Sequence, residues 1–118
     1  MKLEVKYFSS PDIFDFEKFV PLHSNSFNFL LEFEVGILGK SGGDLFSVEV
    51  CTPNWFQENI NFSEITFCNK KLIVFKYDIN SIMNKIVDYI SSINANSWEE
   101  AIAQISSIAN WEFDNYRK

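Results

Sequence analysis

The chain has 118 residues, with 16 acidic side chains against 10 basic ones and a net charge of −6. It is 47% hydrophobic and 17% aromatic, with 13 phenylalanines, which excludes a disordered chain and supplies a packed core. The length implies a single domain over 1–118. The charge disfavours direct contact with nucleic acid or an anionic membrane. The same charge favours a basic partner, and it also serves plain solubility.

Leu3, Val5 and Tyr7 alternate with Glu4, Lys6 and Phe8, which predicts a first strand ending at Ser9-Ser10-Pro11. Residues 11–26 are irregular and read as a covering loop or a short helix. Phe14, Phe16 and Phe19 follow no clear parity there, and serve either to cap the sheet edge or to anchor a partner. Phe27 to Ile37 is the clearest strand. Phe27, Phe29, Leu31, Phe33 and Val35 share one face; Asn28, Leu30, Glu32 and Glu34 share the other. Gly36 allows a bulge or bend, and residues 39–43 predict a hairpin turn. The next strand turns Phe46, Val48 and Val50 inward and Leu45, Ser47 and Glu49 outward, and Thr52-Pro53 ends it. A helical turn is expected within 53–60.

Residues 65–77 predict a further hairpin turning near Asn69-Lys70, with Leu72 to Phe75 as a central buried strand. Asp78 is an N-cap for a helix to Ile93, whose inner stripe is Ile79, Ile82, Ile86, Ile90 and Ile93. Ser97 and Glu100 form a capping-box pattern for a second helix over 97–109. Trp111 to Tyr116 returns as a strand. The expected fold is α+β: an antiparallel β-sheet with an αα-hairpin packed on one face and a final C-terminal strand.

No catalytic constellation is legible. The single histidine, His23, lies in a polar loop, and only Cys51 offers it a thiol partner. There is no metal-ligand spacing, phosphate loop or dinucleotide fingerprint, so no metal and no cofactor is expected. The two cysteines, Cys51 and Cys68, read as buried free thiols. The N-terminus has no signal-peptide pattern and no apolar run approaches membrane-spanning length, so a cytoplasmic protein is expected.

The acidic residues offer the remaining chemistry. Glu32 and Glu34 stand about 7 Å apart along one strand face. Asp44 and Glu49 are assigned to the same outward set, and Asp12 and Asp15 form a second acidic cluster. These six are the candidate contacts for a basic partner. The plainer reading is the polar outer face that a half-buried sheet must present.

Three tryptophans mark junctions between elements: Trp55 after Cys51-Thr52-Pro53, Trp98 at the start of the second helix, and Trp111 in Trp111-Glu112-Phe113. In this order and spacing, from about Phe27 to Tyr116, the chain resembles the immunity-protein-8 group of bacterial polymorphic-toxin and contact-dependent growth inhibition systems. The resemblance implies a small α+β protein, not an enzyme, that binds a cognate toxin C-terminal domain. The toxins of such systems are often nucleases with basic clefts, which an acidic inhibitor suits. The resemblance carries over no contact residue and no oligomeric state. An adaptor module without a toxin partner is the rival reading, and an enzyme using the outer carboxylates is a third.

Overall fold

The computed structural model describes residues 1–60, 65 and 67–114. Among them the chain runs β1 (Leu3–Ser9), β2 (Asn28–Ile37), β3 (Asp44–Cys51), α1 (Pro53–Asn59), β4 (Lys71–Ile73), α2 (Ile79–Ser92), α3 (Trp98–Ile105) and β5 (Asn110–Trp111). The fold is α+β, with a five-stranded, mostly antiparallel sheet and three helices. The sheet order is β1-β2-β3-β4, and β5 also pairs with β3.

The β2–β3 register follows from side-chain alternation. Phe29 stands opposite Val50, Leu31 opposite Val48 and Phe33 opposite Phe46, and all six are buried. The Phe33 ring stacks on Phe46 at 6.1 Å and meets Phe8 in a tilted contact at 6.3 Å. The apolar stripes of α2 and α3 complete this core through Ile82, Ile86, Ile90, Ala101 and Ile105. Asp78 caps α2 by accepting the Ser81 N–H at 3.2 Å. Ser97 caps α3 by accepting the Glu100 N–H at 3.1 Å, while the Glu100 carboxylate reaches back to the Asn96 N–H at 2.6 Å. The Tyr89 hydroxyl joins the two helices by donating to the Gln104 carbonyl at 3.0 Å.

Four local expectations need correction. The irregularity lies in β1, between Val5 and Tyr7, not at Gly36. This bulge flips the strand's later parity. Phe8 pairs with Phe33 on the inner face, and Tyr7 faces outward opposite Glu34, 49% exposed. Gly36 instead permits close approach, since a Cβ there would lie 2.2 Å from the Gly42 carbonyl oxygen, while Gly42 itself turns the hairpin at a φ of +82°.

The expected hairpin over 65–77 is the second. Its first arm lies partly outside the described residues, and the second arm, β4, pairs in parallel with β3. A parallel partner requires a crossover, and α1 lies in the connection between β3 and β4. The strand therefore lies at an edge and is not central. Leu72 and Val74 pack on the core, but Ile73 is 44% and Phe75 78% exposed.

The third is the C-terminal return, which is two residues long: Asn110 and Trp111 pair with Ser47 and Phe46. Phe113 is partly exposed and packs edge-on against Trp111 at 5.2 Å; Tyr116 lies outside the described residues. The fourth is Cys68, which is exposed and free, whereas Cys51 is buried and free.

The Ile86 side chain is buried in the core stripe of α2. Ile86→Asp places an unpaired charge there and is expected to destabilise the domain by about 3 kcal/mol or more. Asp88→Ala, on the exposed face of the same helix, is expected to change stability by less than about 0.5 kcal/mol. Denaturant unfolding of both variants checks the assignment of the helix face.

Candidate functional site

The acidic side chains divide into those the fold uses and those it leaves free. Asp44 is the clearest structural one. It pairs with Val35, so it shares the parity of Phe46, Val48 and Val50 and does not join the outward set. Its Oδ2 accepts the indole N–H of Trp111 at 2.9 Å and that of Trp98 at 3.2 Å. One carboxylate thus ties the start of β3 to the first turn of α3 and to β5. The even numbering shared with Phe46 to Val50 already carried this inward assignment. The two indole bonds had no local signal, because they span more than fifty residues.

Thr52 plays a similar part for Trp55. Its buried hydroxyl accepts the N–H of Trp55, capping α1, and the N–H of Phe27, both at 3.2 Å. Thr52 and Pro53 therefore start a helix as well as ending a strand. Each of the three tryptophan junctions is held by a polar side chain beneath it.

Asp12 accepts the Leu30 N–H at 2.7 Å, extending the β2 edge beyond the end of β1. Asp15 accepts the N–H groups of Glu17 and Lys18 at 3.0 and 3.3 Å, closing a turn. Glu49 is on the outer face but is ion-paired with Lys71 and accepts from the Asn28 amide at 3.1 Å. Partial burial raises the Glu49 pKa, yet the Lys71 and Asn28 hydrogen bonds together hold it below the ordinary 4.5.

Glu32 and Glu34 differ from these. They stand on the outer face opposite Ser47 and Leu45, half-buried, with no side-chain hydrogen bond or ion pair among the described residues. The β5 return brings further acidic groups beside them. The Glu112 carboxylate accepts the Leu45 N–H, and its own N–H donates to the Leu45 carbonyl at 2.9 Å. A groove of about 380 Å³ opens here, lined by Glu32, Leu45, Ser47, Asn110, Glu112 and Asp114. Glu112 and Asp114 were not among the sequence candidates, because only the long-range pairing of β5 with β3 sets them beside Glu32.

The arrangement is a groove lined by carboxylates, without an activated nucleophile or a metal cluster among the described residues. Among the described residues no three His, Cys, Asp or Glu side chains gather to hold a metal. His23 is exposed, while Cys51 is fully buried and its thiol is pushed up by that burial, the reverse of an activated nucleophile. No helix among the described residues is long and apolar enough to cross a membrane.

Fold and surface together define a small α+β binding protein with an open, acidic sheet face. The chain belongs to the Immunity protein 8 family, whose model matches residues 3–116. It is thus an immunity protein, and its partner is a cognate toxin; such families are in general non-enzymatic. Comparison with curated proteins and with solved structures found no match.

Two outcomes test the structural carboxylates. Asp44→Ala leaves two indole N–H groups without their acceptor and is expected to cost about 1–3 kcal/mol, with a red shift in tryptophan fluorescence. Wild-type stability and emission in that variant would contradict the clamp. For Glu49 the folded pKa is lowered, so its pairing contributes stability above the unfolded carboxyl range that is lost as pH falls through the lowered value. Stability is expected to fall on acidification below about pH 4.5. Glu49→Gln should flatten that part of a melting-temperature profile against pH.

Proposed function

We propose that this immunity protein neutralises a basic toxin domain, a nuclease of the contact-dependent growth inhibition kind, by laying the acidic outer sheet face over its substrate cleft. One observation carries the reading. Glu32 and Glu34 remain without side-chain partners among the described residues, next to the groove that Glu112 and Asp114 line. The net charge of −6 supports it. Carboxylates presented on an open face compete for the cationic groups that bind a nucleic-acid backbone, and their field speeds encounter.

Glu32 and Glu34 lead the contact set, joined by Glu112 and Asp114. Glu49 contributes as half of an ion pair at the rim. Asp12 and Asp15 add a second acidic cluster in the 11–26 segment, while accepting backbone N–H groups there and on β2. Asp44 acts from beneath, by fixing β5 and hence the groove. No catalytic step, metal or cofactor belongs to this mechanism, and inhibition is stoichiometric. On this reading the protein works in the cytoplasm of the cell it protects, where the free thiols of Cys51 and Cys68 stay reduced.

The test needs the cognate toxin domain, to be sought as the variable C-terminal domain of a large secreted protein in a neighbouring reading frame. Reversing Glu32 and Glu34 to Lys is expected to slow association at low salt by about tenfold or more, to flatten its salt dependence, and to weaken protection of toxin-expressing cells. The melting temperature should barely move, since both side chains lie on the open face. Wild-type rates and full protection in the double variant would contradict the outer face as the interface.

A further inference from the structure

We infer that Phe14 is the apolar anchor of the toxin contact, a ring held out from the fold to enter an apolar pocket rimmed by basic side chains on the partner. This rests on the reading that the partner is a basic toxin domain. In the segment from Pro11 to Phe19 the other large apolar side chains turn inward: Ile13 is buried, and Phe16 and Phe19 pack against the core. Phe14 alone is fully exposed, at 107%.

The ring does not hang on a slack loop. Before it, Asp12 accepts the Leu30 N–H at 2.7 Å, and its own N–H donates to the Ser10 hydroxyl at 3.0 Å. After it, Asp15 accepts the Glu17 N–H at 3.0 Å, and the Phe19 N–H closes on the Asp15 carbonyl at 3.0 Å. The Tyr77 hydroxyl then pins the Phe16 carbonyl at 2.7 Å. Both neighbours of Phe14 are therefore fixed, and the backbone that carries the ring is ordered before any partner arrives. Ordering done in folding is not charged again on binding, which is how a preorganised aromatic becomes a hot spot.

The surroundings specify the occupant. Asp15 and Glu17 line the cleft beside the ring and Asp12 lies two residues before it, against Lys18 in the same segment and Lys76 near Phe16 and Glu17. An apolar centre with an acidic rim is complementary to an apolar pocket with a basic rim. A cleft of about 350 Å³ lies beside the ring, bounded by Phe16, Ile79, Asn80 and Met83. Knob and hollow together give the segment a shape that a flat charged surface lacks.

The experiment compares wild type, Phe14→Ala, Phe14→Leu and the Glu32→Lys/Glu34→Lys double variant, with the cognate toxin domain as the probe. Association and dissociation rates, melting temperature and sedimentation are measured for each. Phe14→Ala is expected to raise the dissociation rate at least about tenfold, with little change in association rate or melting temperature, while Phe14→Leu keeps most of the affinity. Wild-type dissociation from Phe14→Ala, with affinity lost in the charge-reversed variant, overturns the anchor and leaves the acidic-face reading standing. Loss in Phe14→Ala with no effect of charge reversal supports the anchor and overturns the acidic face. A fall of many degrees in the melting temperature of Phe14→Ala overturns the anchor, because the ring would then be packing within the fold. A wild-type dimer that Phe14→Ala converts to monomer, at unchanged toxin dissociation, assigns the ring to self-association and overturns it as well. Absence of binding by the wild type overturns both readings.

Discussion

Phe29, Leu31 and Phe33 on β2 meet Val50, Val48 and Phe46 on β3 across one face of the sheet, and none of the six is more than 5% exposed. Each such side chain gains about 1.5–3 kcal/mol by leaving water, so a face of this kind must be covered. The isoleucine and alanine stripes of α2 and α3 cover it. Because successive residues point to opposite sides, burying one face commits the other to solvent. That second face carries Glu32 and Glu34, which have no side-chain hydrogen bond or ion pair among the described residues. Core and candidate docking surface are thus two consequences of a single strand alternation.

The fold draws on its acidic residues before any partner does. Asp44 binds two indoles, Asp12 satisfies a strand-edge N–H, Asp15 closes a turn, Glu49 pairs with Lys71, and Glu112 bonds back to β3. These bonds fix the edges and ends of the sheet, where backbone groups would otherwise lack partners. Among the described residues Glu17, Asp88 and Glu99 are left over on other surfaces, and Glu32, Glu34 and Asp114 are left over on the outer face and along the groove beside β5. A basic ligand would meet charge there that the fold does not already employ. Loss of Asp44 would act on that surface indirectly, by releasing the strand that carries Glu112 and Asp114 to its place.

Local pattern made the central part of this legible. The parities of β2 and β3, the capped isoleucine stripe of α2 and the Ser97 cap of α3 are read from residues a few positions apart, and the structure keeps them. The illegible part was long-range. A one-residue bulge after Val5 exchanged the roles of Tyr7 and Phe8, and alternation alone cannot foresee a slip that depends on the pairing with Glu34 and Phe33. The apolar run at Leu72 looked central, but its partner is reached by a crossover, so it became an edge. Asp44 was misassigned although its own parity was inward. Of the candidate contacts, Glu32 and Glu34 stand where alternation put them; Asp12 and Glu49 are engaged in long-range bonds no spacing rule foretold, whereas the local turn that Asp15 closes was open to a spacing rule. Glu112 and Asp114 joined the groove only through tertiary pairing. The tryptophan order pointed to the family because each ring marks a junction that the fold must lock.

The most direct test is an amide-resolved NMR titration of the isotope-labelled chain with the unlabelled cognate toxin domain. The largest perturbations are expected at Glu32, Glu34, Ser47 and Asn110 to Asp114, together with Asp12 to Glu17 around the Phe14 anchor, with the buried-face amides of α2 and α3 little changed. Perturbations confined to the exposed flanks of α2 and α3, with the outer sheet face silent, would contradict this.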